Sequence, residues 1–223
     1  MFNQKYIILF LGRNRIQLYG GNLTGIVTIE IPQSIQSDVD ILRKDDLYTL
    51  IKQCVKQYVL AGQLIIILSD EIYFEKIFAP PDNPQTESDI LKFFDSIPYE
   101  AVWTKVYQTE MGKRAVAVNK AIYEAFHQGF TLQGLPTKAV IPAFLLGQMG
   151  TKRTLDKPLA DYVFNNIDAL AKQGLLDTQE IESVIPPSGI EPDTSKPKSR
   201  LPLLFGVFGV LIFILFIVIA SQF

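Results

Sequence analysis

The chain has 223 residues, 48% of them apolar, enough to fill a sizeable core. Its net charge of −2 provides no global attraction for nucleic acid, and none is expected as a partner. A single cysteine, Cys54, and a single histidine, His127, exclude an intramolecular disulfide and leave no Cys/His set for zinc or iron; no cofactor is expected.

Residues 5–11 are rich in Tyr, Ile, Leu and Phe, the composition of a strand. Gly12-Arg13-Asn14-Arg15 is a turn. Residues 15–19 then alternate apolar and polar, as do residues 25–31 after Gly20-Gly21-Asn22, so three successive strands form a meander. Leu47, Leu50, Ile51, Cys54, Val55, Tyr58 and Val59 recur at helical spacing, and Gly62 is expected to close that helix; Cys54 lies on its apolar face. QLIIIL at 63–68 is apolar throughout, the pattern of a central strand covered on both faces, and residues 72–78 follow as another strand. After a Pro-rich loop, residues 86–96 read as a capped helix. Residues 101–109 and 113–118 read as a β-hairpin with Met111-Gly112 in the turn, and Asn119 caps a following helix. A strand is expected within 131–141 and a short helix at 143–149. One further helix is expected at 156–173, with Asp156 at its cap and Pro158 in its first turn. The fold class is α/β, a mixed α+β arrangement.

Three features carry candidate chemistry. The Gly12–Arg15 turn, with Arg13 and Arg15, reads either as a phosphate-binding loop or as an ordinary hairpin tip. A phosphate loop needs more glycines and a Lys-Ser/Thr leading into a helix, whereas a strand follows here, so no helix dipole points at the site and the turn reading is preferred. Asp70-Glu71 stands at the C-terminal end of an expected central strand, where α/β proteins place ligands; a solvated strand end is the plainer reading. Trp103 and Tyr107 share one strand face and, with Tyr99, form either an aromatic patch or core packing, the latter being the default. His127, the only histidine available to a Ser-His-Asp triad, sits at an expected helix end, where a structural role suffices.

Residues 201–223 contain no charged residue, and a run of this length covers a bilayer core; residues 201–221 are expected to form one transmembrane helix. Lys196, Lys198 and Arg200 precede it and no Lys or Arg follows, so the positive-inside rule places the N-terminus in the cytoplasm and the chain as a single-pass, tail-anchored protein of the cytoplasmic (inner) membrane. Residues 184–200, with Pro186, Pro187, Pro192 and Pro197, read as an extended tether whose basic end favours anionic lipid headgroups.

The order of these elements carries a resemblance. A hairpin, a third strand and a helix lead to QLIIILSDEIYFEKIF. The helix ESDILKFFDSIPYE comes next, then VWTKVYQTEMGKRAVAVNKAIYEAFHQGF and LPTKAVIPAFLLG. Over about residues 5–150 this resembles the N-terminal half of the actin-like proteins of type IV pilus and type II secretion platforms, the PilM and GspL family. Ile97-Pro98-Tyr99 and the helix start in Val116–Phe126 match that family's inserted subdomain. The resemblance implies half of an actin-like (ribonuclease H-like) fold over residues 1–183, with a small inserted β-α-β subdomain at about 80–130. Where the family's first hairpin begins Asp-Ile-Gly, this chain has Phe10, Leu11 and Gly12, so the carboxylate that helps to place the metal–nucleotide is missing. Nor is there room for the family's second lobe. The resemblance therefore implies a pseudo-ATPase that keeps the scaffold and its partner-binding surfaces: an assembly protein whose partners are other membrane or cytoplasmic components of a platform. The alternative is a nucleotide-binding half-lobe completed by dimerisation or by a partner chain, with Gly12, Arg13 and Asp70 as its candidates; an unrelated membrane-tethered regulator is a third.

Overall fold

The computed structural model describes residues 5–37, 40–80 and 84–176. The expected tether at 184–200, with Lys196, Lys198 and Arg200, and the expected span at 201–221 lie outside the described residues. Among the described residues no helix is long and apolar enough to cross a membrane.

The chain opens with the meander: β1 (Tyr6–Leu11), β2 (Arg15–Gly20) and β3 (Val27–Glu30), each antiparallel to the next. A two-residue pair, β4 (Gln36–Ser37) and β5 (Asp40–Ile41), leads to α1 (Lys44–Tyr58). Then come β6 (Gln63–Leu68), β7 (Tyr73–Phe78), α2 (Pro84–Asp95), β8 (Val102–Thr109), β9 (Gly112–Asn119) and α3 (Lys120–Thr131). The described part closes with β10 (Thr137–Pro142), a 3-10 segment (Ala143–Lys152) kinked at Gly147, α4 (Lys157–Asn165) and α5 (Ile167–Gln173).

The larger sheet runs β10-β6-β1-β2-β3, with β1, β6 and β10 mutually parallel. The reason is legible in β1 and β6, which have no polar face. Ile7, Leu9, Leu11, Leu64, Ile66 and Leu68 point into one layer, with Leu47, Ile51 and Cys54 of α1 and Ile122, Phe126 and Phe130 of α3. Tyr6, Ile8, Phe10, Ile65 and Ile67 point into the other, with Leu159, Ala160 and Val163 of α4 and Ile167 and Leu170 of α5. At about 1.5–3 kcal/mol per fully buried aliphatic side chain, only a strand roofed on both faces gains from every residue. In the first layer α1 and α3 approach closely at Gly129, where a Cβ would stand 2.5 Å from Ile51 Cδ1 and 3.1 Å from the Tyr48 ring.

The smaller sheet runs β7-β9-β8, all antiparallel. It reaches back to Tyr73, earlier than the expected insertion, whereas α3 lies in the helical layer beside α1. One face packs Tyr73, Tyr107, Val116 and Val118 into the first core layer. The other receives α2 through Ile90, Phe93 and Phe94, packed with Phe78 and Ala115.

Two expectations about helices are corrected. The region 156–173 is two helices, because Asn166 leaves helical geometry (φ −119°, ψ 16°) and its side-chain Nδ2 donates back to the Tyr162 carbonyl at 2.8 Å. And α1 is closed by Val59, not Gly62: Val59 takes the left-handed conformation (φ 50°, ψ 48°), and Leu60 N–H reaches the Val55 carbonyl at 3.1 Å in a Schellman-type end.

Candidate functional site

The C-terminal ends of the parallel strands β1, β6 and β10 lie together, the place where open α/β sheets bind ligands. Leu11 ends β1. Gly12 N–H then donates to the Arg15 carbonyl at 2.9 Å, closing a tight turn through Arg13 and Asn14, and β2 begins at once. Gly12 is not held at a positive φ, and a Cβ there would make only ordinary contacts, the nearest at 3.5 Å. One of those contacts, at 3.6 Å, is the Glu71 carboxylate. The turn therefore has an acidic neighbour in Glu71 besides its own Arg13 and Arg15.

Beyond β6, Ser69 N–H donates to the Leu11 carbonyl at 2.9 Å, so the two strand ends stay joined. Buried Ser69 then organises a turn. Its hydroxyl accepts from Glu71 N–H at 3.3 Å and faces the Asp70 and Glu71 carboxylates at 3.3 and 3.4 Å, and Ile72 N–H reaches the Ser69 carbonyl at 3.1 Å.

The partner of the two carboxylates comes from far along the chain. Arg153 caps the 3-10 segment in the left-handed conformation (φ 51°, ψ 24°). Its Nε and Nη2 bind the Asp70 carboxylate at 2.9 and 3.0 Å, and its Nη1 stands 3.9 Å from Glu71. The Asp70 hydrogen bond and charge, then Glu71, raise the Arg153 pKa above its ordinary value, so the guanidinium stays ionised. Its carbonyl in turn accepts from Arg15 Nη2 at 3.1 Å. The ensuing residues are pinned to β2 by Gln17, whose buried Oε1 accepts from Leu155 N–H at 2.8 Å and Thr154 Oγ1 at 3.1 Å.

Of the three weak nucleotide candidates, the fold brings Gly12 and Asp70 to the same strand-end cluster. Arg13 goes elsewhere: its carbonyl accepts from Gln36 Nε2 at 2.6 Å, and its charge acts on the Tyr99 hydroxyl. The Tyr99 pKa is raised by burial first and then by Asp40, and Arg13 opposes that rise. Asp40 is also bound, at 3.2 Å, by Asn119 Nδ2, the side chain that caps α3. Phe10 and Leu11, which stand where the resembling family carries its carboxylate, are both in the core. Among the described residues no group of three or more His, Cys, Asp and Glu is placed to hold a metal ion.

The aromatic candidates separate: Trp103 and Tyr107 border the first core layer, whereas Tyr99 meets Phe74, which is 41% exposed. Trp103 packs on Tyr123 (ring centroids 4.8 Å), Tyr107 meets Phe144 edge-on (4.9 Å), and Tyr99 packs on Phe74 (5.6 Å). His127 lies in α3, its Nδ1 2.8 Å from Thr137 Oγ1 and its ring stacked on Tyr123. Arg153, Ser69 and Gln17 were not singled out by sequence reasoning. Gln17 carried no signal, because the alternation of residues 15–19 puts it on the polar face of a half-buried strand, yet it is buried. Arg153 carried none, because its role depends on a contact 83 residues away.

No protein-family model matches the sequence, and no curated protein does. Among solved structures, the chain is similar to the PilM–PilN type IV pilus biogenesis complex, at 14% identity and a TM-score of 0.44, over 65% of this chain and 49% of that one. It is similar to the cytoplasmic domain of EpsL, an inner-membrane component of the type II secretion system of Vibrio cholerae, at 13% identity and 0.39, over 63% and 58%. It is also similar to a Bacteroides thetaiotaomicron protein with an actin-like ATPase fold, at 10% identity and 0.38, over 67% and 56%. The chain thus spans between about half and three-fifths of the length of the solved structures that it resembles.

Proposed function

We propose that this chain is a membrane-anchored scaffold facing the cytoplasm, an assembly component of a pilus- or secretion-like inner-membrane platform that does not hydrolyse ATP. The observation that carries the reading is the occupation of the strand-end cluster by its own side chains. Glu71 faces the Gly12 turn, and the guanidinium of Arg153 is already spent on Asp70. The turn leads into a strand, so no helix dipole points at the cluster. The anchor is read from the charge-free run at 201–221, and the orientation from Lys196, Lys198 and Arg200, each of which adds about 1 kcal/mol of attraction to anionic headgroups. The resembling structures bear the names of a type IV pilus biogenesis complex and a type II secretion component, and the proposal gives this chain the same kind of setting, with other platform components as its partners.

The second reading, a nucleotide-binding half-lobe completed by another chain, draws on the position of Gly12 and Asp70 at the ends of parallel strands. Titration calorimetry of the full chain with ATP and Mg²⁺ separates the two. The scaffold reading expects no binding heat at millimolar nucleotide; micromolar affinity would favour the half-lobe. Fractionation tests the anchor: the full chain stays with membranes through an alkaline carbonate wash, and deletion of residues 201–221 releases it. Recovery of the full chain in the soluble fraction removes the membrane part of the proposal.

A further inference from the structure

The described chain ends by turning round an edge of the larger sheet. Helices α4 and α5 lie in the second core layer, through Leu159, Val163, Ile167 and Leu170. Leu175, just beyond α5, is fully buried in the first layer, on the opposite face of that sheet. β10 is the edge strand that separates the two layers there, with β6 beside it. The chain therefore passes round β10 within residues 173–175.

Both sheets hold that passage. Leu175 N–H donates to the Val140 carbonyl of β10 at 2.8 Å. Gly174 lies so close to the strand that a Cβ would stand 2.5 Å from the same carbonyl oxygen, so any side chain here would have to displace β10. From the smaller sheet comes Lys105 of β8. Its Nζ donates to the Gly174 carbonyl at 2.6 Å and the Gln173 carbonyl at 3.2 Å. An ammonium on the last carbonyls of a helix makes charge-assisted hydrogen bonds and complements the negative end of the helix dipole.

We propose that residues 173–175 are a hook, locked by Lys105, that takes up tension arriving from the chain beyond Leu176. The inference rests on the anchored reading above: with a membrane segment following residue 200 and platform components held by the domain, a displacement between the two pulls at Leu176. That pull reaches Leu175 before it reaches α5. To pass it on, the Leu175 side chain must leave the first core layer, the Lys105 ammonium must release two carbonyls, and Gly174 must be drawn back round the strand edge. These events are coupled, because all three residues sit in one turn. A helix end without such a fastening frays residue by residue at little cost. The hook therefore keeps α4 and α5 folded under tension and shares the pull between β10 and β8, which belong to different sheets.

Single-molecule force spectroscopy tests the hook on the full chain in detergent, pulled between handles at its two termini. The outcome does not depend on whether residues 201–221 span a bilayer, which the carbonate wash decides separately. The unsubstituted chain opens with no early event from its C-terminal helices. Lys105→Met keeps an apolar stem and loses the donors, so α4 and α5 peel away first. That appears as a separate low-force step of about 70 Å, the contour length of the roughly 20 residues from Lys157 to Leu176. Gly174→Ala, which forces a Cβ onto the Val140 carbonyl, gives the same step by an independent route. Lys105→Arg retains donors for the two carbonyls and gives none. The proposal is overturned if the unsubstituted chain already shows the early step, or if Lys105→Met and Lys105→Arg open alike.

Discussion

Gln17 is a polar side chain buried in a strand of apolar neighbours, and it holds residues 154–155 against the sheet. Its amide also donates to Thr28 Oγ1 at 3.2 Å, so both ends of the side chain are used. Gln17→Ala leaves the Leu155 N–H buried without an acceptor. A buried donor stripped of its partner costs about 1–3 kcal/mol, and the urea midpoint should fall accordingly, with the slope unchanged. A loss under about 0.5 kcal/mol would mean that the segment is not docked this way in solution. The same scale shows what a sequence reading of the site can and cannot reach. Gly12 and Asp70 announced themselves by residue type and by position at strand ends. The pairing that defines the site, Arg153 with Asp70, joins residues 83 apart, and nothing local marks Arg153 as different from Lys152 beside it.

Among the elements, the clearest strain is at the end of α1. Val59 is a β-branched residue in the left-handed region, where its Cβ crowds the backbone, and it is 70% exposed, so it recovers little by burial. Val59→Gly should raise stability by about 0.5–1 kcal/mol, the relief of left-handed strain less the entropy a glycine adds to the unfolded chain. A thermal melt shows this as a midpoint a few degrees higher; a lower midpoint would mean that the helix ends differently. Helical spacing alone points to Gly62 as the stop, because a valine in the left-handed region breaks the local rule. It missed the break at Asn166 for a related reason, since the apolar spacing continues through Asn165-Asn166 and only the capping geometry divides α4 from α5. The runs of β1 and β6 were legible because burial on both faces leaves a signature in every residue. That β7 joins a different sheet from β6 was not legible, because strand partnership is settled by tertiary packing rather than by local periodicity.

At the scale of the whole molecule, the two sheets meet through tyrosines. Tyr73 accepts from Phe144 N–H at 3.3 Å, Tyr107 packs on the Phe144 ring, and Arg114 stacks over that ring at 4.6 Å while pairing with Glu75 at 3.3 Å. Burial, then Glu75, pushes the Tyr73 pKa far up; burial, then Tyr73, does the same for Tyr107. A folded pKa above the unfolded one means that the fold favours the neutral phenol. The associated stability is fully present below about pH 10, where unfolded tyrosine ionises, and declines as pH rises beyond it. Denaturant melts between pH 8 and 11 should therefore show a loss that begins near pH 10 and that Tyr73→Phe with Tyr107→Phe reduces. An alkaline profile identical in the double variant would place the weakness elsewhere.

The parallel pairing of β1, β6 and β10 also sets a timetable for folding. β1 and β2 can join as soon as the turn at Gly12 is made, and β8 and β9 likewise, since both are hairpins. β1 must wait for residues 63–68 before its other edge is covered, and β6 must wait for residues 137–142. Until β10 arrives, β6 presents a bare edge between two apolar faces, the kind of surface on which incomplete chains associate. During synthesis the chain is thus most vulnerable between the emergence of Leu68 and that of Pro142, and a chaperone that shields it has most to do in that interval.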